Sequence, residues 1–290
     1  MKFALCNELY GKRPFEEVCD HVASCGYDAI EIAPFTFNDD PTLIGQRQAE
    51  QAGATARAAG LPVVGLHWLL AQPDGLHLTC PDAAVRRHTV QFMHHLARLC
   101  AAMGGKFLVL GSPKQRELLE GMEYEDAFAR MADGLHQVCQ TAGSLGLKLL
   151  IEPLAPTETN FINTAAEGAR MMRMIDHPAA GLHLDVKAMS SEKDPIDKVI
   201  LDHAEHLIHF HANDQNGRGP GFGKVDFVPI ARALHKVRYN GYVSVEVFDF
   251  LPDPETIAVK SIEYLNRTFG KESRASGEAR ASQATDAGTI

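Results

Sequence analysis

Short apolar runs alternate with longer amphipathic stretches along the first ~250 residues, a length that suits an eight-unit barrel. The runs are residues 2–9 (KFALCNEL), 29–35 (AIEIAPF), 62–70 (PVVGLHWLL), 106–113 (KFLVLGSP), 147–154 (LKLLIEPL), 180–187 (AGLHLDVK), 206–214 (HLIHFHAND) and 242–249 (YVSVEVFD). Each follows a glycine, proline or polar turn, so each reads as a strand of a buried sheet. The stretches between them carry helix punctuation. PFEEVCDHVASCG has Pro14 in its first turn and closes on Gly26, and another helix is framed by Asp82 and Gly104. Eight strands alternating with eight helices, about 31 residues per unit, predict one α/β domain over residues 1–268, a (β/α)8 TIM barrel. An open doubly wound sheet would need fewer strands, and no GxGxxG follows the first run. Residues 269–290 are mostly small, polar and unpatterned, which predicts a disordered tail.

Composition narrows the function more than the fold. The 290 residues are 45% hydrophobic and 22% charged, and the net charge is −9. An acidic surface repels phosphate backbones, which speaks against nucleic acid as a partner. The cysteines at 6, 19, 25, 80, 100 and 139 form no CxxC pair. They read as reduced core residues. No apolar run approaches the ~20 residues of a membrane span, and the N-terminus lacks the apolar core of a signal peptide. These features predict a cytoplasmic protein that handles a small molecule, with no membrane partner.

Barrel active sites lie at the C-terminal ends of the strands. Those ends carry His67, Glu152, Asp185, His211 and Glu246. The last four are spaced 33, 26 and 35 residues apart, each close to one βα unit. If all four face inward, three carboxylates and one imidazole converge. Such a cluster is costly unless a cation neutralises it. Three oxygen donors and one nitrogen suit one divalent ion: Mn²⁺, Mg²⁺, Co²⁺ or Zn²⁺. Two residues back on the same face lie His183 and His209, expected to support the ligands from below. His67 is expected in the pocket and, by strand alternation, Trp68 outside it. Glu8 and Glu31 are weaker pocket-wall candidates. His94 and His95 sit side by side on a helix and diverge, so no metal role is expected of them.

The motifs IEPLAPTETN, LHLDVKAM, HFHAND and VSVEVF resemble the strand ends of the xylose-isomerase-like TIM barrels, and within these the D-tagatose/D-allulose (ketose) 3-epimerase group, over residues 1–268. The resemblance implies that Glu152, Asp185, His211 and Glu246 bind one divalent metal. It also implies that Glu152 and Glu246 act as the acid/base pair, and that Glu158 contacts the substrate. The implied activity is a metal-dependent sugar epimerase or isomerase, manganese being one candidate ion, that works through an enediolate in carbohydrate metabolism. A homo-oligomer is expected by the same analogy.

Some positions depart from that pattern. Ala188 stands where the epimerases have a substrate-contacting histidine, and the neighbouring Lys187 is expected to point to solvent. Arg218 falls near the family's arginine after strand seven, but within the glycine-rich loop NGRGPGFGKVDF, whose amides can approach an anion. The alternative activity is a lyase or dehydratase acting on a keto-sugar or inositol derivative. Less favoured are an endonuclease IV-like hydrolase, which needs more histidines, and a sugar-binding barrel without turnover.

Overall fold

The computed structural model describes residues 1–270. Eight parallel strands close into a barrel in sequence order. They are β1 Lys2–Cys6, β2 Ala29–Ile32, β3 Val63–Leu66, β4 Phe107–Leu110, β5 Lys148–Ile151, β6 Ala180–Asp185, β7 Leu207–Ala212 and β8 Tyr242–Val245. The predicted barrel is therefore the observed one. The strands are shorter than the apolar runs, because the last residues of several runs bend out of the sheet. Asn7–Tyr10, for example, forms a turn of 3₁₀ helix. This places Glu152 and Glu246 one residue beyond their strands, while Asp185 ends β6 and His211 lies inside β7.

The surrounding helices are α1 Phe15–Ser24, α2 Gln46–Ala58, α3 Ala83–Met103, α4 Tyr124–Ser144, α5 Ala165–Ile175, α6 Val186–Met189, α7 Ile196–Asp202, α8 Phe227–Lys236 and α9 Pro254–Phe269. Their ends follow local chemistry. The Asp82 side chain accepts from Ala84 N to start α3, and Gly104 at φ 89° ends it in the left-handed conformation. Thr164 and Glu167 form a capping box on α5. The alternation of one helix per strand predicts a single helix between β6 and β7, and two short ones lie there instead. Asp185 itself accepts from Ala188 N, so the chain turns into α6 as soon as β6 ends. Phe269 is buried at the end of α9, so this helix runs one residue past the predicted limit of the domain. Residues 271–290 of the predicted tail lie outside the described residues. No described helix is long and apolar enough to cross a membrane.

Two apolar layers position the site. The larger fills the space between the barrel and its helices. The smaller closes the barrel's lower interior with Ala4, Ala29, Val64, Phe107, Val109 and Leu150. The Phe107 ring packs 4.2 Å from that of His209, so this apolar floor carries the first polar tier directly. Register raises the next tier, because His183 pairs with His209 and Asp185 with His211.

Gly65 is needed for the floor. A Cβ there would lie 2.3 Å from Phe107 Cδ2 and 2.5 Å from Phe107 O. Gly65→Ala is expected to cost about 1–3 kcal/mol of stability through overpacking. Urea denaturation checks this, and an unchanged midpoint would contradict it.

Candidate active site

Glu152, Asp185, His211 and Glu246 each offer a ligand atom, and these atoms lie within 4.8 Å of one another. All four side chains are buried. They come from the ends of β5 to β8, as strand alternation and spacing predict. His211 Nδ1 lies 3.1 Å from Glu246 Oε2. Asp185 accepts from Ala188 N at 2.8 Å and from Asn213 Nδ2. Asn213 also accepts from Lys187 N at 2.9 Å, tying the aspartate to the start of α6. Gly111 leaves room for Glu152, because a Cβ there would lie 2.1 Å from Glu152 Oε2.

A second polar tier lies beneath. Glu31 Oε2 accepts from His209 Nε2 at 2.7 Å, and Glu31 Oε1 lies 3.1 Å from His211 Nε2. His67 Nε2 pairs with Glu8 Oε2 at 2.8 Å, and its Nδ1 lies 3.8 Å from Glu31 Oε1. His183 packs its ring 4.1 Å from that of His211, and its Nε2 lies 3.7 Å from Glu152 Oε1. Glu8 and Glu31 are therefore interior groups beneath the pocket rather than part of its wall. For Glu31 the sequence carried the signal, since it shares parity with Ala29 inside the barrel, whereas Glu8 lies in the 3₁₀ turn after β1, where strand parity does not apply.

The cluster opens into a cavity of about 390 Å³ whose lining includes Trp68, Ser112, Leu154, Glu158 and Phe248, with Glu152 and Glu246. His67 is not part of this lining; it is fully buried lower down. The expectation that only one of His67 and Trp68 can face inward fails, because Trp68 has φ 50° and alternation breaks there. Trp68 Nε1 donates to Glu246 Oε1 at 2.7 Å, and its ring stacks on Phe248 at 5.8 Å. Lys187 does not point away into solvent. It lies in the first turn of α6 rather than continuing the strand, and its ammonium pairs with Glu158 and sits 4.8 Å above the Phe248 ring.

Arg218 lies outside the cavity lining, with its Nε donating to Asp249 Oδ2 at 2.8 Å. The amides of its glycine-rich loop do meet an anion, but it is the protein's own. Asp214 accepts from Gly223 N, Lys224 N and Val225 N at 2.9, 3.0 and 3.2 Å. Sequence reasoning also missed Arg116, which is fully buried behind the cavity with its Nη1 on Leu110 O and its Nε and Nη2 without partners. Nothing in its local pattern, GSPKQRELLE, separates it from a surface arginine.

The charges fit a divalent cation. Burial, then repulsion from Glu246, pushes Glu152 well above the usual carboxylate range, and the same causes push Asp185 up to about 7. Burial opposes the charge on His211, yet Glu31 and Glu246 raise it well above the ordinary imidazole value. Burial likewise opposes ionisation of Glu246, but His211 holds it below the usual range. A bound cation would let all three carboxylates ionise together.

A pH dependence follows. Asp185 has a raised folded-state pKa, so between its ordinary 3.8 and about 7 the fold holds a proton that the unfolded chain has released. Stability therefore falls as pH rises through that window. His211 acts in the same direction, since a raised imidazole loses its stabilising charge as pH rises. With a chelator present, the melting temperature is expected to drop between about pH 5 and 7.5, and added Mn²⁺ should restore it most at the higher pH. Differential scanning calorimetry checks this, and a chelated protein that gains stability over the window would contradict it.

A sequence profile described as xylose isomerase-like TIM barrel matches residues 19–268. The probable ketose 3-epimerase of Synechocystis sp. is 26% identical, over 84% of this chain and 87% of its own length. The D-psicose 3-epimerase of Ruminiclostridium cellulolyticum is 27% identical, over 79% and 76%. The crystal structure of D-psicose 3-epimerase with D-tagatose, from Clostridium cellulolyticum H10, superposes with a TM-score of 0.82 at 20% identity, covering 93% of this chain and 100% of that one. That likeness speaks for the fold, and the profile match over most of the chain settles the family: the protein belongs to the xylose isomerase-like TIM barrels.

Proposed function

We propose that the protein is a divalent-metal-dependent ketose epimerase that moves a proton at the carbon beside a sugar carbonyl, with Glu152 and Glu246 as its acid/base pair. The observation that carries this is the convergence of Glu152, Asp185, His211 and Glu246, two of which, Glu152 and Glu246, line one cavity. Those four residues would hold the ion, and Mn²⁺, Mg²⁺, Co²⁺ or Zn²⁺ suits the donor set. When bound, the ion supplies Lewis-acid polarisation of the substrate's carbonyl and hydroxyl.

The chain's own groups do the rest. Glu152 follows β5 and Glu246 follows β8, so the two carboxylates reach the cavity from different arcs of the barrel. One removes the proton from one face of the carbon, leaving an enediolate. The other returns a proton to the opposite face, which inverts the centre. The stacked Trp68 and Phe248 rings form an apolar wall for the sugar's C–H face. Glu158, held by Lys187, stands at the mouth as the substrate contact, and this pair occupies the region where Ala188 withdraws a polar side chain. His67 and Arg218, with their own buried or local partners, carry no substrate contact in this scheme. The six free cysteines suit a reducing cytoplasm.

Incubation of the Mn²⁺-loaded protein with a panel of ketoses in D₂O tests the proposal. Deuterium uptake at the carbon beside the carbonyl, together with the epimeric ketose, is the expected outcome. Glu152→Gln and Glu246→Gln should each reduce turnover by about 10²–10⁴-fold. Uptake accompanied by loss of water would establish a lyase instead, and no exchange with any ketose would overturn the proposal.

A further inference from the structure

A histidine ligand must present a lone pair to its ion, so the proton of the neutral ring has to sit on the other nitrogen. Which nitrogen keeps it is set by the hydrogen bond beneath. In this barrel that bond comes from β2, a strand that supplies none of the four ligand residues. Glu31 is fully buried, and its register partner Cys6 fixes the backbone against β1. Its two carboxylate oxygens face two imidazoles: Oε2 lies 2.7 Å from His209 Nε2, and Oε1 lies 3.1 Å from His211 Nε2. An ionised carboxylate can only accept. Both Nε2 atoms must therefore carry hydrogen, and His211 Nδ1 turns towards Glu246 Oε2 at 3.1 Å, inside the ligand cluster.

We propose that Glu31 is the positioning residue of the metal site, fixing His211 as the Nε2–H tautomer so that Nδ1 serves as the ligand atom. His209 is the second anchor: it holds the other oxygen of Glu31 and so stops the carboxylate from rotating away from His211. This gives the paired histidines of HFH separate tasks, one as ligand and one as brace for the carboxylate that orients it. The inference rests on the metal site proposed above.

The same atoms admit a competing use. Cys6, Glu31 and His67 also offer ligand atoms within 4.8 Å of one another, and His67 Nδ1 has no hydrogen-bond partner. Glu31 would then be a ligand of a second, lower ion rather than a brace for the first. Its pairing with two histidine Nε2 atoms at hydrogen-bond distance favours the brace, since His67 Nδ1 stands off at 3.8 Å.

The chain's only tryptophan, Trp68, donates to Glu246 and so reports on the site. Mn²⁺ titrations followed by its emission, with ion content measured on the same samples, test the assignment. Wild type should bind one ion per chain. Glu31→Gln keeps the shape but turns a donor towards one of the two rings, and it should bind one ion about 10–100-fold more weakly. In wild type loaded with diamagnetic Zn²⁺, ¹⁵N spectra should show His211 protonated at Nε2, a readout that does not depend on any variant folding. Equal Mn²⁺ affinity in Glu31→Gln, or an Nδ1-protonated His211, would overturn the proposal while leaving the metal site standing. Two ions in wild type and one in the variant would overturn it in favour of the lower site. No ion bound by wild type would overturn both the proposal and the site on which it rests.

Discussion

Burying like charges inside an apolar barrel is the constraint on which the rest of this structure depends. Glu152, Asp185 and Glu246 meet at the base of the barrel mouth, and each is no more than 6% exposed. Desolvation and mutual repulsion oppose their ionisation. His211 offsets part of this by standing between Glu246 and Glu31. The remainder is visible in Asp185, pushed up to about 7. A barrel that only needed to be stable would fill these positions with apolar side chains, as its lower tier does.

The molecule is layered around that constraint. The apolar floor at Phe107 and Leu150 supports the imidazole–carboxylate tier of His209, Glu31, His67 and Glu8. That tier meets the His211 ring above it through Glu31. Over the ring stand Trp68 and Phe248, with Lys187 and Glu158 at the rim. Each layer depends on a local feature of the chain. Gly111 makes space for Glu152, the turn at Asp185 starts α6, and the positive φ of Trp68 admits a second inward side chain at the end of β3.

Most of this was legible where regular periodicity holds. Period-two alternation placed Asp185 and His211 on the inner face of their strands, and unit spacing placed Glu152 and Glu246 beside them. Legibility ended where alternation ended. Lys187 belongs to a helix that begins one residue after the strand, so a strand rule sent it the wrong way. Trp68 follows a backbone reversal that no neighbouring glycine announces. Glu31 obeyed the rule but looked ordinary, because the partners that give it meaning, His209 and His211, lie on β7, far along the chain and across the barrel interior. The glycine-rich loop suggested an anion and had one, but Asp214 supplies it from nine residues or more away.

The central claim is that one divalent ion is held by residues from the ends of four consecutive strands. Anomalous diffraction from crystals soaked in Mn²⁺ tests this most directly. The account predicts a single strong peak enclosed by Glu152, Asp185, His211 and Glu246. A peak among Cys6, Glu31 and His67, or no peak inside the barrel, would contradict it.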